Sequence, residues 1–221
     1  MFGRQVYAVL AKDLLLEWRT KDSLSAMLVF ALLVLVTFNF ALDLRPDLLA
    51  SVGPGVLWVA VVFGSTLGLG RTFAVERDAG TLDGLLIAPL DRAALFAAKL
   101  LGNLALMAIV EIVCVPAFAI LFNVAIDVFA VVVTLAAGTV GLGAVGTLLS
   151  AVAANTRARE VMLPVLLFPI LVPVLIGVVQ ATGLAMGSVS ARDMPWLSLL
   201  LAFDAIYVAV GAVAMEYVLE D

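Results

Sequence analysis

Histidine is absent from the whole 221-residue chain. The sequence therefore supplies no histidine-ligated metal, no histidine general base and no histidine-held haem iron. Cysteine is almost absent too. A single thiol, Cys114, excludes an intrachain disulfide, and its place in an apolar run suits simple packing. Charge is scarce, at 13% of residues against about 25% in a soluble domain. There is no G-x-x-x-x-G-K-[ST] sequence. The nearest glycine cluster, GLGRT from Gly68 to Thr72, lacks the lysine and the spacing that cradle phosphates, so ATP is not bound here by a P-loop. The net charge of −5 says little about partners, because many acids lie in or beside apolar runs. Nothing in the charge pattern calls for nucleic acid.

What is abundant is apolar length. Hydrophobic residues make up 65% of the chain, against about 45–50% in soluble domains. A helix needs about 20 mainly apolar residues to cross about 30 Å of hydrocarbon. Six runs qualify: 24–42, 52–70, 100–122, 128–153, 161–187 and 194–215. They are too long, and alternate too little in polarity, for membrane strands. The expected fold is an all-α integral membrane protein, a single transmembrane domain over 1–221. Run five contains Pro164, Pro169 and Pro173, which predict kinks or a re-entrant outer end, with a short turn over 182–195.

Arginine and lysine give the orientation. Of twelve basic residues, ten fall before run one (Arg4, Lys12, Arg19, Lys21), between runs two and three (Arg71, Arg77, Arg92, Lys99) or between runs four and five (Arg157, Arg159). Only Arg45 and Arg192 fall in the opposite loops. Both termini are thus expected in the cytoplasm. The charges spread through Met1–Asp22 argue for a retained helix rather than a signal peptide. Val6, Leu10, Leu14 and Trp18 recur every four residues, with Lys12, Asp13, Arg19 and Lys21 off that stripe. Residues 1–23 read either as an interfacial helix lying on the membrane or as an extension packed on a partner.

The long loop, 71–99, carries the most information. Arg71–Asp78 continues run two as helix. Gly80 breaks it, Thr81 is placed to cap a new helix, Pro89 ends that helix, and Asp91 caps the next one. Leu82, Leu85 and Leu86 share one face of the short helix, with Asp83 beside them. One or two turns are not stable alone in water, so the helix needs a docking surface, on this chain or another. It reads either as a turn packed on its own helix ends or as a plug for a partner's groove. A weaker second contact is the loop at 155–160, with Arg157, Arg159 and Glu160, which also suits simple topological anchoring.

Two acids sit near mid-membrane, Glu111 in run three and Asp204 in run six. Charges there cost about 2.5–3.5 kcal/mol on insertion scales. They read either as a polar path or proton site, or as carboxyls that lock helices together. Gly64 and Gly68, and Gly138, Gly141, Gly143 and Gly146, offer small surfaces for close helix packing.

The run FAVERDAGTLDGLLIAPLDR, Phe73 to Arg92, resembles the signature of the CcmB family. The likeness extends to RQVYAVLAKDLLLEWR (Arg4 to Arg19), KLLGN (Lys99 to Asn103) and REVMLPVLLFP (Arg159 to Pro169). The resemblance implies the membrane subunit of an ABC-type haem exporter of cytochrome c maturation in the bacterial inner membrane, with the six-span layout of ABC-2-type permeases. It implies a cytoplasmic ABC ATPase partner that binds and hydrolyses ATP, a haem-handling membrane subunit and a periplasmic haem chaperone. A second copy of this chain is also compatible. In that setting the Thr81–Pro89 helix seats in the ATPase. Leu82, Leu85 and Leu86 give apolar contact, and Glu76, Arg77, Asp78 and Asp83 form a polar rim. Haem would be substrate, with no cofactor held by this chain and no chemistry catalysed by it. Two other functions fit the sequence: an ABC-2-type permease for another amphiphile, and a mechanical subunit that moves an assembly complex without transporting anything.

Overall fold

The computed structural model describes residues 1–42, 46–124, 126–154, 156, 159–186 and 195–218; the side chains of 46–50, 83, 86, 159 and 160 lie outside that description. Among the described residues the chain forms nine helices and no strand. They are α1 (Phe2–Thr20), α2 (Asp22–Ala41), α3 (Pro46–Arg71), α4 (Ala74–Asp78), α5 (Leu82–Ile87), α6 (Arg92–Phe122), α7 (Val128–Ala154), α8 (Arg159–Ala185) and α9 (Trp196–Val218). Six helical segments are long and apolar enough to cross a membrane: α2, α3 with its continuation into α4, α6, α7, α8 and α9.

The apolar runs mark these helices to within a few residues, except at the start of α3, six residues ahead of its run, and at the start of α6. That helix starts at Arg92, well before the apolar run at 100, and has 31 residues. At about 1.5 Å per residue it is about 46 Å long, and so projects beyond the hydrocarbon. α8 runs through Pro164, Pro169 and Pro173 as one helix to Ala185. Thr182, expected to open a re-entrant turn, instead lies in its last helical turn, while 187–194 fall outside the described residues.

α7 is the axis of the bundle, and its glycines are the reason. A Cβ on Gly138 would run into Trp58 of α3 and Val178 of α8, and one on Gly146 into Leu69 of α3. One on Gly143 would come within 2.9 Å of Leu104 of α6, and one on Gly141 within 2.7 Å of Asp204 Oδ1 of α9. Four neighbouring helices thus close on α7 through atoms it lacks, which is the close packing small residues permit in a bilayer. α2 meets α3 the same way, with Met27 and Ala31 against Gly64, and Met27 against Gly68. Trp58 is fully buried, and its indole N–H donates to Thr182 Oγ1 at 2.8 Å.

α1 forms as expected, but its stripe divides. Val6 and Leu10 turn inward, whereas Leu14 is exposed and Trp18 is 78% exposed. A four-residue step overshoots the 3.6-residue turn, so the stripe winds by about 40° each time and leaves the packed face. The face that packs is Gln5, Val6, Val9, Leu10, Asp13 and Glu17. Tyr7, Leu15 and Trp18 are left exposed on the opposite side.

Candidate functional site

The conformation of the 71–99 loop is fixed by its backbone bonds. Thr72 N–H donates to the Leu69 carbonyl at 3.1 Å, Phe73 is buried, and the chain then resumes as α4. α4 ends in a Schellman motif. Gly80 N–H donates to the Arg77 carbonyl at 3.1 Å and Thr81 N–H to the Glu76 carbonyl at 2.9 Å. Gly80 sits at φ 64°, the left-handed conformation that glycine adopts without strain. Thr81 therefore belongs to the end of α4. Its hydroxyl donates to the same Glu76 carbonyl at 3.3 Å, and it makes no side-chain cap on α5. This corrects the expected capping role. The backbone of Thr81, at φ −94° and ψ −9°, lacks the extended conformation an N-cap side chain normally uses. α5 stops at Ile87 because Ala88, preceding Pro89, is extended. Asp91 does cap α6, with Oδ1 accepting from Ala93 N–H at 2.9 Å.

The faces of α5 also differ from expectation. Leu82 is buried in this chain's own core with Val9, Phe73, Leu95 and Phe96, and Leu85 is half-buried against the same group. Among the described side chains of α5, Ile87 is the apolar one presented outward, 85% exposed, followed by exposed Ala88 and Pro89. Arg77 and Asp78 are exposed on α4. The side chains of Asp83 and Leu86 are outside the described residues, as are Arg157 and the side chains of Arg159 and Glu160, which open α8.

Glu76 does not stand on a rim. Its side chain is 6% exposed, held by the Lys99 ammonium and by Lys12 at 2.8 Å. Lys99, 4% exposed, also reaches Asp13 Oδ2 at 3.0 Å and donates to the Thr72 carbonyl at 3.0 Å. Lys12 closes the group with Asp13 at 2.9 Å. Two acids and two bases from α1, α4 and α6 thus form a balanced quartet, with Glu76 and Lys99 buried at its centre and Asp13 and Lys12 at its more open edge. Desolvation pulls the Lys12 ammonium towards neutrality, but the Glu76 and Asp13 carboxylates outweigh it and raise its pKa. Thr72 Oγ1 to Asn103 Oδ1 at 3.0 Å and Asn103 Nδ2 to Thr147 Oγ1 at 2.8 Å carry the polar chain on to α7. Beside the quartet lies a cavity of about 160 Å³, lined by Glu17, Asp22, Arg71, Thr72, Glu76 and Lys99 among others.

The two membrane acids are both buried against α7. Glu111 of α6 accepts from Thr139 Oγ1, and Asp204 of α9 lies against Gly141. Thr139 and Gly141 are two residues apart, so the acids sit at similar depth on opposing sides of the central helix.

A profile of the CcmB protein family matches residues 4–220. This chain belongs to the CcmB family. Among curated relatives, the heme exporter protein B of Bradyrhizobium diazoefficiens is 30% identical over 211 residues, 94% of this chain and 93% of that protein. The protein of the same description from Paracoccus denitrificans is 29% identical over 208 residues, 94% of each chain. That from Rhodobacter capsulatus is 29% identical over 170 residues, 76% of this chain and 78% of the relative. As a CcmB family member with six apolar segments of spanning length, the chain is a multi-pass membrane protein. The family match takes in α1 as well as the loop, so the quartet lies wholly within it. Sequence reasoning missed Lys99, Lys12 and Asp13 as a unit. The available signal was Lys99 itself, a lone cation between Ala97–Ala98 and Leu100–Leu101.

Proposed function

We propose that this chain is the permease subunit of a multi-subunit ABC transporter that acts in haem export and delivery for c-type cytochrome biogenesis in the bacterial inner membrane. A cytoplasmic ATPase partner supplies the energy. The loop 71–99 receives it, and haem passes to a periplasmic chaperone with the help of a haem-handling membrane subunit. The observation that carries the coupling is the exposed tip of α5. Ile87, Ala88 and Pro89 face outward from a short helix whose root, Leu82, is fixed in the core. A rigid apolar tip on a buried root suits a groove in a partner.

Ile87→Asp tests this directly, because Ile87 contributes little to the chain's own packing. The chain should reach the membrane at normal levels. It should fail to co-purify with its ATPase, and haem-stained c-type cytochromes should be lost. Normal cytochrome levels would overturn the coupling role of the tip. The family relatives described as heme exporter protein B support haem as the substrate. That Glu111 is bonded to Thr139 and Asp204 is packed closely on Gly141, both buried against α7, favours haem release by movement of the bundle over passage beside these acids. Haem uptake into inverted vesicles containing all subunits and ATP separates the two, since release by movement leaves no haem inside.

A further inference from the structure

We infer that α1 is a working part of the coupling device, yoked to the 71–99 loop by the charge quartet, with the buried Lys99 as the positioning residue at its centre. This rests on the coupling reading above and adds to it a second moving element. A buried ammonium is tolerated only when its donors are used, and each Lys99 N–H has an acceptor: Asp13 on α1, Glu76 on α4 and the Thr72 carbonyl between α3 and α4. Those three bonds hold α1, α4 and the α3–α4 link to one point on α6. Lys12 adds a second bond from α1 to Glu76. α1 also holds the far end of the loop, where Gln5 Nε2 donates to the Pro89 carbonyl at 3.0 Å. Between these two ties, Val9 of α1 and Leu82 of α5 belong to one buried apolar group with Phe73 and Leu95. α1 thus ties the chain on both sides of the coupling helix, at Glu76 before it and at Pro89 after it, and shares a buried apolar group with its first residue, Leu82. A push on the α5 tip is shared by α1, whose opposite side carries exposed Tyr7, Leu15 and Trp18.

The test unties α1 without unbalancing the buried charge. Lys12→Met with Asp13→Asn removes one base and one acid and leaves the Glu76–Lys99 pair intact; Gln5→Ala cuts the second tie. In the purified triple variant, amide hydrogen exchange across residues 82–87 should rise at least tenfold, although the substitutions lie some 70 positions away, and haem-stained cytochromes should fall at least tenfold at normal membrane levels. Lys12→Arg, which keeps the charge and a donor, should exchange and mature cytochromes as the parent does. Unchanged exchange at 82–87 would overturn the yoke. Raised exchange with normal cytochrome output would overturn its role in coupling. Normal output from Ile87→Asp would instead refute the coupling reading itself, so the two failures are distinct.

Discussion

Gly80 offers a test in which backbone geometry alone sets the effect. Its φ of 64° lies in the left-handed region, and an added Cβ would meet nothing within 4 Å. Size is therefore irrelevant there, and conformation decides. Asparagine, which visits this region readily, should be the mildest replacement. Alanine should cost about 1–2 kcal/mol, a shift of about 5–30-fold in the local equilibrium that sets the angle between α4 and α5. Proline should be worst. Its φ is fixed near −65°, and it also deletes the N–H that donates to the Arg77 carbonyl at 3.1 Å. The Schellman turn cannot then close and α5 loses its direction. The assay is haem-stained c-type cytochrome in cells that depend on this chain, normalised to its level in the membrane. Output should fall in the order glycine, asparagine, alanine, proline, with membrane levels held. A proline variant at the level of the parent, or alanine as damaging as proline, would refute the reasoning.

Two further outcomes follow from the packing. Gly138→Val places methyls where Trp58 and Val178 now lie; overpacking of this kind costs about 1–3 kcal/mol, so the melting temperature in detergent should drop by several degrees, while Gly55→Ala, into open space, should not lower it. Cys114, fully buried and without a disulfide, should resist maleimide in the folded protein and react fully on unfolding, as mass spectrometry would show.

The bundle was legible in the sequence because lipid leaves one option for long apolar runs, hydrogen-bonded helix, and the run boundaries mark the helices closely. Asp91 was legible for a similar reason: an N-cap acts two residues away. What escaped depends on long-range partners. Thr81 has the composition of an N-cap, but Gly80 before it turns its N–H and hydroxyl back to Glu76. Leu82 fits a docking face by spacing, yet it is buried in one apolar group with Phe73 and Val9. Glu76 reads as a surface charge in its own segment. Only the approach of Lys12, 64 residues earlier, and of Lys99, 23 later, puts it in the interior. Ile87 lies outside the face that Leu82 and Leu85 share, so the helical spacing of the leucines does not single it out.

The quartet also imposes an order on biogenesis. Glu76 follows Lys12 by 64 residues, about 3–13 s of synthesis at about 5–20 residues/s, and Lys99 is made later still. Throughout that interval α1 exists without the charges that will bury its inner edge. The side of α1 bearing Tyr7, Leu15 and Trp18 needs none of them, and aromatic residues of this kind favour the membrane–water interface. The nascent helix can therefore wait on the bilayer, apolar side down, with Lys12 and Asp13 in water. Lys99 lies on α6, so the quartet has all its members only once the third span is made.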